Sequence, residues 1–538
     1  MRPEDTLPCP EGRRSEPFSH PLRSSASGVS YPTRRRRVSR NPITREQADD
    51  LVARAGGRPP QPEPTSGTPC QDFTTEPVST EDFGEGNALV DGRTRLKFVD
   101  LFSGLGGFHA ALKRLGHECV FASEIDAKLQ DLYHANFGIR PFADIRHCWR
   151  DVPSHDILCA GFPCQPFSKA GSQLGFECPE SGDLFEYILR IVDRHTPRFL
   201  IFENVPNILR HADGKTWARI HDSLIQRDYS VDFKELSPHL IGVPQIRYRA
   251  FIVAWMGSPN DFDWPEVIST EGDLHLSTVL DERPTNADSL SARHISYLEV
   301  WEEFLGHVGD DAKMPSFPIW AMEFGASYPY EKRSPSAYSQ RYLARFKGMF
   351  GDSLSGKTKT QQMADLPPYA QGETLFPRWK ARFIQQNREF YAAHEVRLRD
   401  WLPKIKSFPP SFQKLEWNWQ AGTRTVWDKL IQFRASGIRV KNPATAPSLV
   451  ALTTSQVPIV ASERRYMTIR ECARLQSLGD LAVLPTIKTR AFRALGNAVN
   501  ADVAYLVSSE LLKNTSSHDD RNGNIASNRK AVSAGQHV

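Results

Sequence analysis

The chain has 538 residues and a mass of 60.7 kDa. At roughly 100–200 residues per domain that is room for two to four units. A mean hydropathy of −0.46 and the lack of an 18-residue apolar run argue against a membrane-spanning protein, and 67 basic against 63 acidic residues leave a charge of +4 that permits an anionic partner without requiring one.

Eight cysteines with no C-x-x-C pair suggest neither a disulfide scaffold nor a zinc site, so no metal is expected. The opening Met-Arg-Pro-Glu-Asp lacks the apolar segment of a signal peptide. A reducing, intracellular compartment is the expectation: cytoplasmic in a bacterium, nuclear in a eukaryote.

Residues 1–90 hold 13 of the 39 prolines together with the run Arg34-Arg35-Arg36-Arg37. Such a stretch has too little apolar surface to offset its ordering entropy and is predicted to be a disordered tail. Its arginines suit phosphates, a nuclear signal or plain solvation. A second tail is predicted over 514–538.

Between these tails, Leu96–Phe102 is an apolar run that exits into Ser103-Gly104-Leu105-Gly106-Gly107, a buried strand with a glycine-rich turn. Phe108, Ala111, Leu112 and Leu115 recur at helical spacing, and Gly116 is placed to stop that helix. Strands follow at Cys119–Ala122, Asp156–Ala160, Phe199–Phe202 and Ala250–Ala254, with a helix over Leu184–Val192. This alternation predicts an α/β fold with a doubly wound, mostly parallel sheet. From about Met256 to Tyr466 the alternation is lost. Between Phe376 and Pro443 there are 14 Lys/Arg against 5 Asp/Glu, with Trp379, Trp401, Trp417, Trp419 and Trp427 among them. Basic residues interleaved with aromatics suit a nucleic-acid backbone and exposed bases; a basic surface over buried tryptophans has the same composition. Thr468–Leu478 and Leu495–Leu512 read as helices returning to the α/β layer.

A strand, a glycine loop and a helix make a place where backbone approaches a ligand closely. Here the loop is Gly-x-Gly-Gly, without the third glycine of a pyrophosphate fingerprint, and Glu124 lies 20 positions after Gly104. A carboxylate there can accept both hydroxyls of a ribose, or be a surface residue beside a tight turn. Gly161-Phe162-Pro163-Cys164-Gln165-Pro166-Phe167-Ser168 leaves a buried strand, which puts the Cys164 thiol at the mouth of the crevice. Glu203, in Glu203-Asn204-Val205-Pro206, ends another strand and faces the same way. Shielded from water, its carboxyl can hold a proton near neutrality. In Gln245-Ile246-Arg247-Tyr248-Arg249, strand alternation would send Arg247 and Arg249 to one face, where they could hold a phosphate or a carbonyl.

DLFSGLGGF, GFPCQPFS, ENV, VPQIRYR, RECARLQ and GNAVNADVA occur in this order. Together they resemble the C5-cytosine DNA methyltransferase family of the bacterial restriction–modification type, over about 96–255 and 445–510. The resemblance implies S-adenosylmethionine as cofactor and double-stranded DNA as partner. It makes Cys164 the nucleophile at C6 of cytosine, Glu203 the group at N3, Arg249 the contact to the cytosine carbonyl and Arg247 its phosphate-side neighbour. Phe102, Leu105 and Gly107 match the cofactor loop, Glu124 the ribose carboxylate and Ile125 the adenine-packing position. Asp144 and Ile145 match the adenine edge, Leu184 a further adenine contact, and Asn497 with Val499 the last motif. Gln165, Ser168, Gln245, Thr453 and Thr454 are placed at the DNA.

The same resemblance divides the chain into a catalytic and cofactor-binding part over 91–255 and 467–513 and a target-recognition region over 256–466. It implies a monomer, with a cognate restriction endonuclease as functional counterpart. Two departures stand out: Asn500 where family members often carry proline, and no Arg-Gly before Leu184-Phe185. Neither removes a reacting group. The readings that remain open are a tRNA cytosine-5 methyltransferase, a silent DNA-binding regulator and, from the glycine loop alone, a nicotinamide dehydrogenase.

Overall fold

Lys97–Leu101 (β1) lies one strand in from the edge of a six-stranded sheet, and the order of its neighbours fixes where a ligand can bind. The computed structural model describes residues 89–90, 93–163, 184–257, 262–266, 268–269, 271–309, 312–420, 422–449, 451 and 456–513, all within the unit Gly84–Val538. The expected tails, and with them Cys164, Gln165, Ser168, Thr453 and Thr454, lie outside the described residues, except that Leu89–Val90 pairs with Arg93–Thr94 as a short antiparallel ladder.

From β1 the chain runs through α1 (Gly107–Arg114) to β2 (Glu118–Ser123), then through α2 (Ala127–Phe137) and the short α3 (Ile145–Cys148) to β3 (Ile157–Ala160). It continues through α4 (Leu184–His195), β4 (Phe199–Asn204), α5 (Lys215–Ile225), β5 (Tyr229–Leu236), β6 (Gln245–Ile246) and β7 (Arg249–Met256). The spatial order is β2-β1-β3-β4-β7-β5. β2, β1, β3 and β4 are mutually parallel, and β7 runs antiparallel between β4 and β5. The sheet is thus mostly parallel, as expected. Because the chain steps from β1 to one side and returns to the other, the carboxyl ends of β1 and β3 border a topological switch point, where such sheets open a crevice.

Strand alternation divides the core in two. Val99, Leu101, Leu158, Ala160, Leu200 and Phe202 pack under α4 and α5. Phe98, Ile157, Cys159, Phe199 and Ile201 face α1 and the late helix Ala501–Leu512. Burial on both faces is why these strands read as continuous apolar runs. One polar residue interrupts them: Asp100 is buried in β1, where the Tyr133 hydroxyl lies 3.1 Å away and also bonds His109 Nδ1 at 2.7 Å. Burial pushes the Asp100 carboxyl up to about 8. A carboxyl raised in the folded state stabilises below its unfolded pKa, and that contribution is lost as pH rises toward the folded value. Asp100→Asn should therefore narrow the loss of stability between pH 4 and 8, read as denaturation midpoints; an unchanged pH dependence would count against the assignment.

The region after Met256 has its own sheet, which the sequence pattern did not reveal. β8 (Ile319–Trp320), β9 (Lys414–Trp417), β10 (Leu430–Arg434), β11 (Gly437–Lys441), β13 (Ile459–Val460) and β14 (Arg465–Tyr466) lie in the order β8-β9-β11-β10-β13-β14. Only β9 and β11 pair in parallel. Helices α6 (Ala292–Val308) and α7 (Arg378–Leu398) accompany it. Of the two readings open for the tryptophans, Trp401 and Trp417 take the second: they are buried with Trp301 and Phe304, and Trp401 Nε1 donates to Val300 O at 2.6 Å. A separate two-strand ladder joins β12 (Ala446–Pro447) to β6 in parallel.

The C-terminal return differs in detail from the sequence reading. The helix beginning after Thr468 (α8, Ile469–Arg474) stops early, although Thr468 and Glu471 form the full capping box that T-x-x-E announces. The run Leu495–Leu512 is two helices, α9 (Lys488–Asn497) and α10 (Ala501–Leu512), because Ala498 is extended and Asn500 caps the next helix by accepting from Val503 N at 3.0 Å.

Candidate active site

The loop that leaves β1 is shaped by its backbone. Phe102, Gly104 and Gly106 all have positive φ (57°, 55° and 81°), which bends the chain back over the strand end. A Cβ on Gly107 would lie 2.3 Å from Val499 O, so only glycine lets α1 start this close to the turn before α10. Leu105 and Val499 are buried on either side, and Asn497 is exposed at the end of α9.

Glu124 closes β2 beside this loop. Its Oε2 accepts Gly104 N and its Oε1 accepts Asp126 N, both at 2.9 Å. These bonds fix the carboxylate and leave each oxygen a further lone pair. Burial raises its pKa, against the pull of the two backbone donors. Next to it Ile125 is 67% exposed, an apolar side chain with no protein cover. Asp144 caps α3 and holds Arg146, which keeps its carboxyl below the usual range. The Ile145 side chain is buried under α4, leaving its main chain to a ligand at the adenine edge. Leu184 is buried at the start of α4. The hydroxyls of Ser103 and Ser123 are buried here without a hydrogen-bond partner among the described residues.

The second half of the site sits at the ends of β3 and β4. β3 leads into Gly161-Phe162-Pro163, directly before Cys164. Phe162 is buried with its ring against Phe185 and Phe202. Asn204, to which the sequence reading assigned no role beyond membership of Glu-Asn-Val, donates from Nδ2 to Phe162 O at 3.2 Å and so ties the end of β4 to the cysteine loop. Glu203 is buried opposite Phe251, with Arg249 Nε 3.0 Å from its Oε1. Desolvation raises the Glu203 pKa despite the opposing charges of Arg249 and Arg247. A carboxyl so placed can carry a proton to a ring nitrogen.

Two expected contacts are corrected. Arg247 lines one small cavity with Arg249 and Glu203, as alternation predicts, but its fork is committed to the protein rather than to a phosphate: it is 2% exposed, and its Nη2 donates to Gly496 O and Ala498 O, both at 2.9 Å. Gln245, expected at the DNA, is fully buried, and its Oε1 accepts Gln476 Nε2 at 2.8 Å.

A switch-point crevice with a fixed carboxylate on one side and a shielded carboxyl on the other, next to the strand that leads into Pro163, suits group transfer from a nucleoside-like donor. Comparison with known proteins agrees with that chemistry. The model of the C-5 cytosine-specific DNA methylase family matches residues 96–513. Type II methyltransferase M.AluI of Cellulosimicrobium cellulans is 30% identical over 484 residues, covering 77% of this chain and 91% of that one. Type II methyltransferase M.BanI of Aneurinibacillus aneurinilyticus is 28% identical over 78% of this chain and 96% of its own. Type II methyltransferase M.HhaI of Haemophilus parahaemolyticus is 42% identical over 176 residues, 32% of this chain and 54% of that enzyme. The chain belongs to the C-5 cytosine-specific DNA methylase family. It is a DNA cytosine-5 methyltransferase that uses S-adenosylmethionine.

The residues present fit that cofactor. Glu124 can accept a vicinal diol, Ile125 offers an apolar face to a flat ring, and the two orphaned serine hydroxyls await polar partners. Glu124→Ala should weaken S-adenosylmethionine binding by about ten- to a hundredfold, as expected when hydrogen bonds to a charged group worth roughly 1.5–3 kcal/mol are removed. Calorimetry on the DNA-free protein checks this; unchanged affinity would remove Glu124 from the cofactor site. No helix among the described residues is long and apolar enough to cross a membrane.

Proposed function

We propose that this chain methylates C5 of a cytosine turned out of a specific duplex sequence, with Cys164 as nucleophile, Glu203 as the proton donor at N3 and Arg249 as the group that holds the base. The observation that carries the reading is Glu203: a carboxyl buried at a crevice-facing strand end, raised by desolvation and oriented by Arg249 at 3.0 Å. C6 of cytosine is a poor electrophile, so a thiolate and a proton at N3 must act together. The thiolate of Cys164 bonds to C6 while Glu203 shares its proton with N3, which spreads the charge that would otherwise build on the ring. Once C5 carries the new methyl group, loss of the C5 proton expels Cys164 as its thiolate, the N3 proton returns to Glu203, and the ring is restored. The bound cofactor supplies the electrophilic methyl group that C5 takes up. The target atom lies within the base stack of a duplex, so the nucleotide must be flipped out first.

Phe102, Leu105, Gly107, Glu124, Ile125, Asp144, Leu184, Asn497 and Val499 line the cofactor side, and Ile145 contributes its main chain. Gln165, Ser168, Thr453 and Thr454 are assigned to DNA. Arg247 and Gln245 act by positioning: they hold the joint between the Arg249 strand and the last two helices. Residues 256–466 form the target-recognition region, supported by a sheet distinct from the catalytic one. A Type II role alongside a restriction endonuclease, in a monomer of the cytoplasm, completes the reading.

Mapping methylated cytosines in DNA from cells carrying the wild type or Cys164→Ser tests it. Sequence-specific methylation is expected with the first and none with the second; methylation that survives the substitution overturns the mechanism.

A further inference from the structure

The basic surplus between Phe376 and Pro443 is not spread evenly over the surface. Arg388 is paired with the enclosed Glu323, Lys404 with Glu303, Lys406 with Asp352, Lys429 with Asp428, and Arg439 with Glu416. Arg378, Lys380, Arg382 and Lys414 have no carboxylate within ion-pair distance among the described residues. Three of these lie within five residues of α7, and the fourth begins β9.

The ammonium groups of the two lysines are held, not loose. Lys380 Nζ lies 5.6 Å from the Tyr369 ring centre and 5.4 Å from that of Phe376, and Lys414 Nζ lies 5.4 Å from the same Tyr369. Two cations therefore flank one ring, and burial together with the charge of Lys380 lowers the Lys414 pKa. Beside them Trp379 is 55% exposed. Fixed, uncompensated positive charge next to an exposed aromatic ring is complementary to a sugar–phosphate strand.

The patch stands at one edge of the second sheet, on β8 and β9. The other edge, β14, is where Arg465 grips Glu471 of α8 in a two-pronged ion pair at 2.9 Å. Six strands at the usual spacing put these edges about 24 Å apart. Along a duplex that is roughly seven base pairs.

We propose that Arg378, Lys380, Arg382 and Lys414 form a phosphate grip on duplex DNA several base pairs to one side of the methylated cytosine. The proposal rests on the reading of the chain as a DNA methyltransferase and adds where flanking duplex is held. The grip gives affinity without sequence information, because phosphates are the same at every position.

The test uses the full chain and two duplexes centred on the cytosine that mapping identifies, one with flanks of about ten base pairs on each side and one with about four. Dissociation constants are measured against salt concentration for the wild type, for the triple variant Arg378→Gln/Lys380→Gln/Arg382→Gln, and for Lys406→Gln as a paired-lysine control. On the long duplex the triple variant should lower the slope of log K against log salt by about two to three, near 0.9 for each phosphate no longer neutralised. On the short duplex it should bind as the wild type does, and Lys406→Gln should match the wild type on both. A wild-type slope for the triple variant on the long duplex overturns the proposal, as does an equal weakening on both lengths. Failure of the methyltransferase reading shows separately, as absence of methyl transfer by the wild type to either duplex.

Discussion

Glutamine in place of Glu203 is expected to slow methyl transfer by about 10²–10⁴-fold, the usual contribution of a positioned proton donor. The amide keeps the shape and can still meet Arg249, but it cannot release a proton to N3. The pH profile carries a second signature. Burial raises the Glu203 pKa, so the fraction holding its proton falls as pH rises through that raised value, and the wild-type rate should fall with it. In Glu203→Gln this alkaline decline should vanish from single-turnover rates. A variant that is slow yet keeps the decline would assign the titration to another group.

Arg247→Met should be the most damaging substitution outside the reacting groups. It leaves Gly496 O and Ala498 O buried without their donor, at about 1–3 kcal/mol for each. It also removes one of the two cations that lower the Glu203 pKa, so the alkaline decline should move to higher pH. Lysine keeps the charge but not the fork that reaches two carbonyls. Arg247→Lys should therefore recover the pH profile better than the stability. Denaturation midpoints and single-turnover profiles of the two variants decide this; if Met leaves both unchanged, Arg247 positions nothing.

These two residues show what was legible in the sequence. Glu203 and the turn into Cys164 could be placed from strand runs alone, because in a doubly wound sheet the carboxyl end of a strand is the crevice. The partners of Arg247 could not, since Gly496 and Ala498 lie 249 and 251 residues further along the chain. Gln245 went wrong for a related reason: its partner Gln476 is 231 residues away, and so distant a contact leaves no local trace. Composition could not sort the tryptophans into core and surface. Trp401 and Trp379 sit in the same basic stretch, yet the first is enclosed and the second exposed. The helix Leu495–Leu512 was too long because its apolar spacing runs on through Ala498–Asn500, while the Asn500 cap divides it.

The pairing of Ala446–Pro447 with Gln245–Ile246 has a practical consequence for transplanting sequence specificity. That ladder stitches the outgoing end of the proposed recognition region to the strand just ahead of Arg247, and the Arg465–Glu471 clasp stitches it again. An exchange of readers between related enzymes should be cut inside 319–441, so that both seams stay with the catalytic half. Cut beyond them, the hybrid would inherit a foreign hinge beneath its own acid, and a change of target would arrive with a loss of turnover.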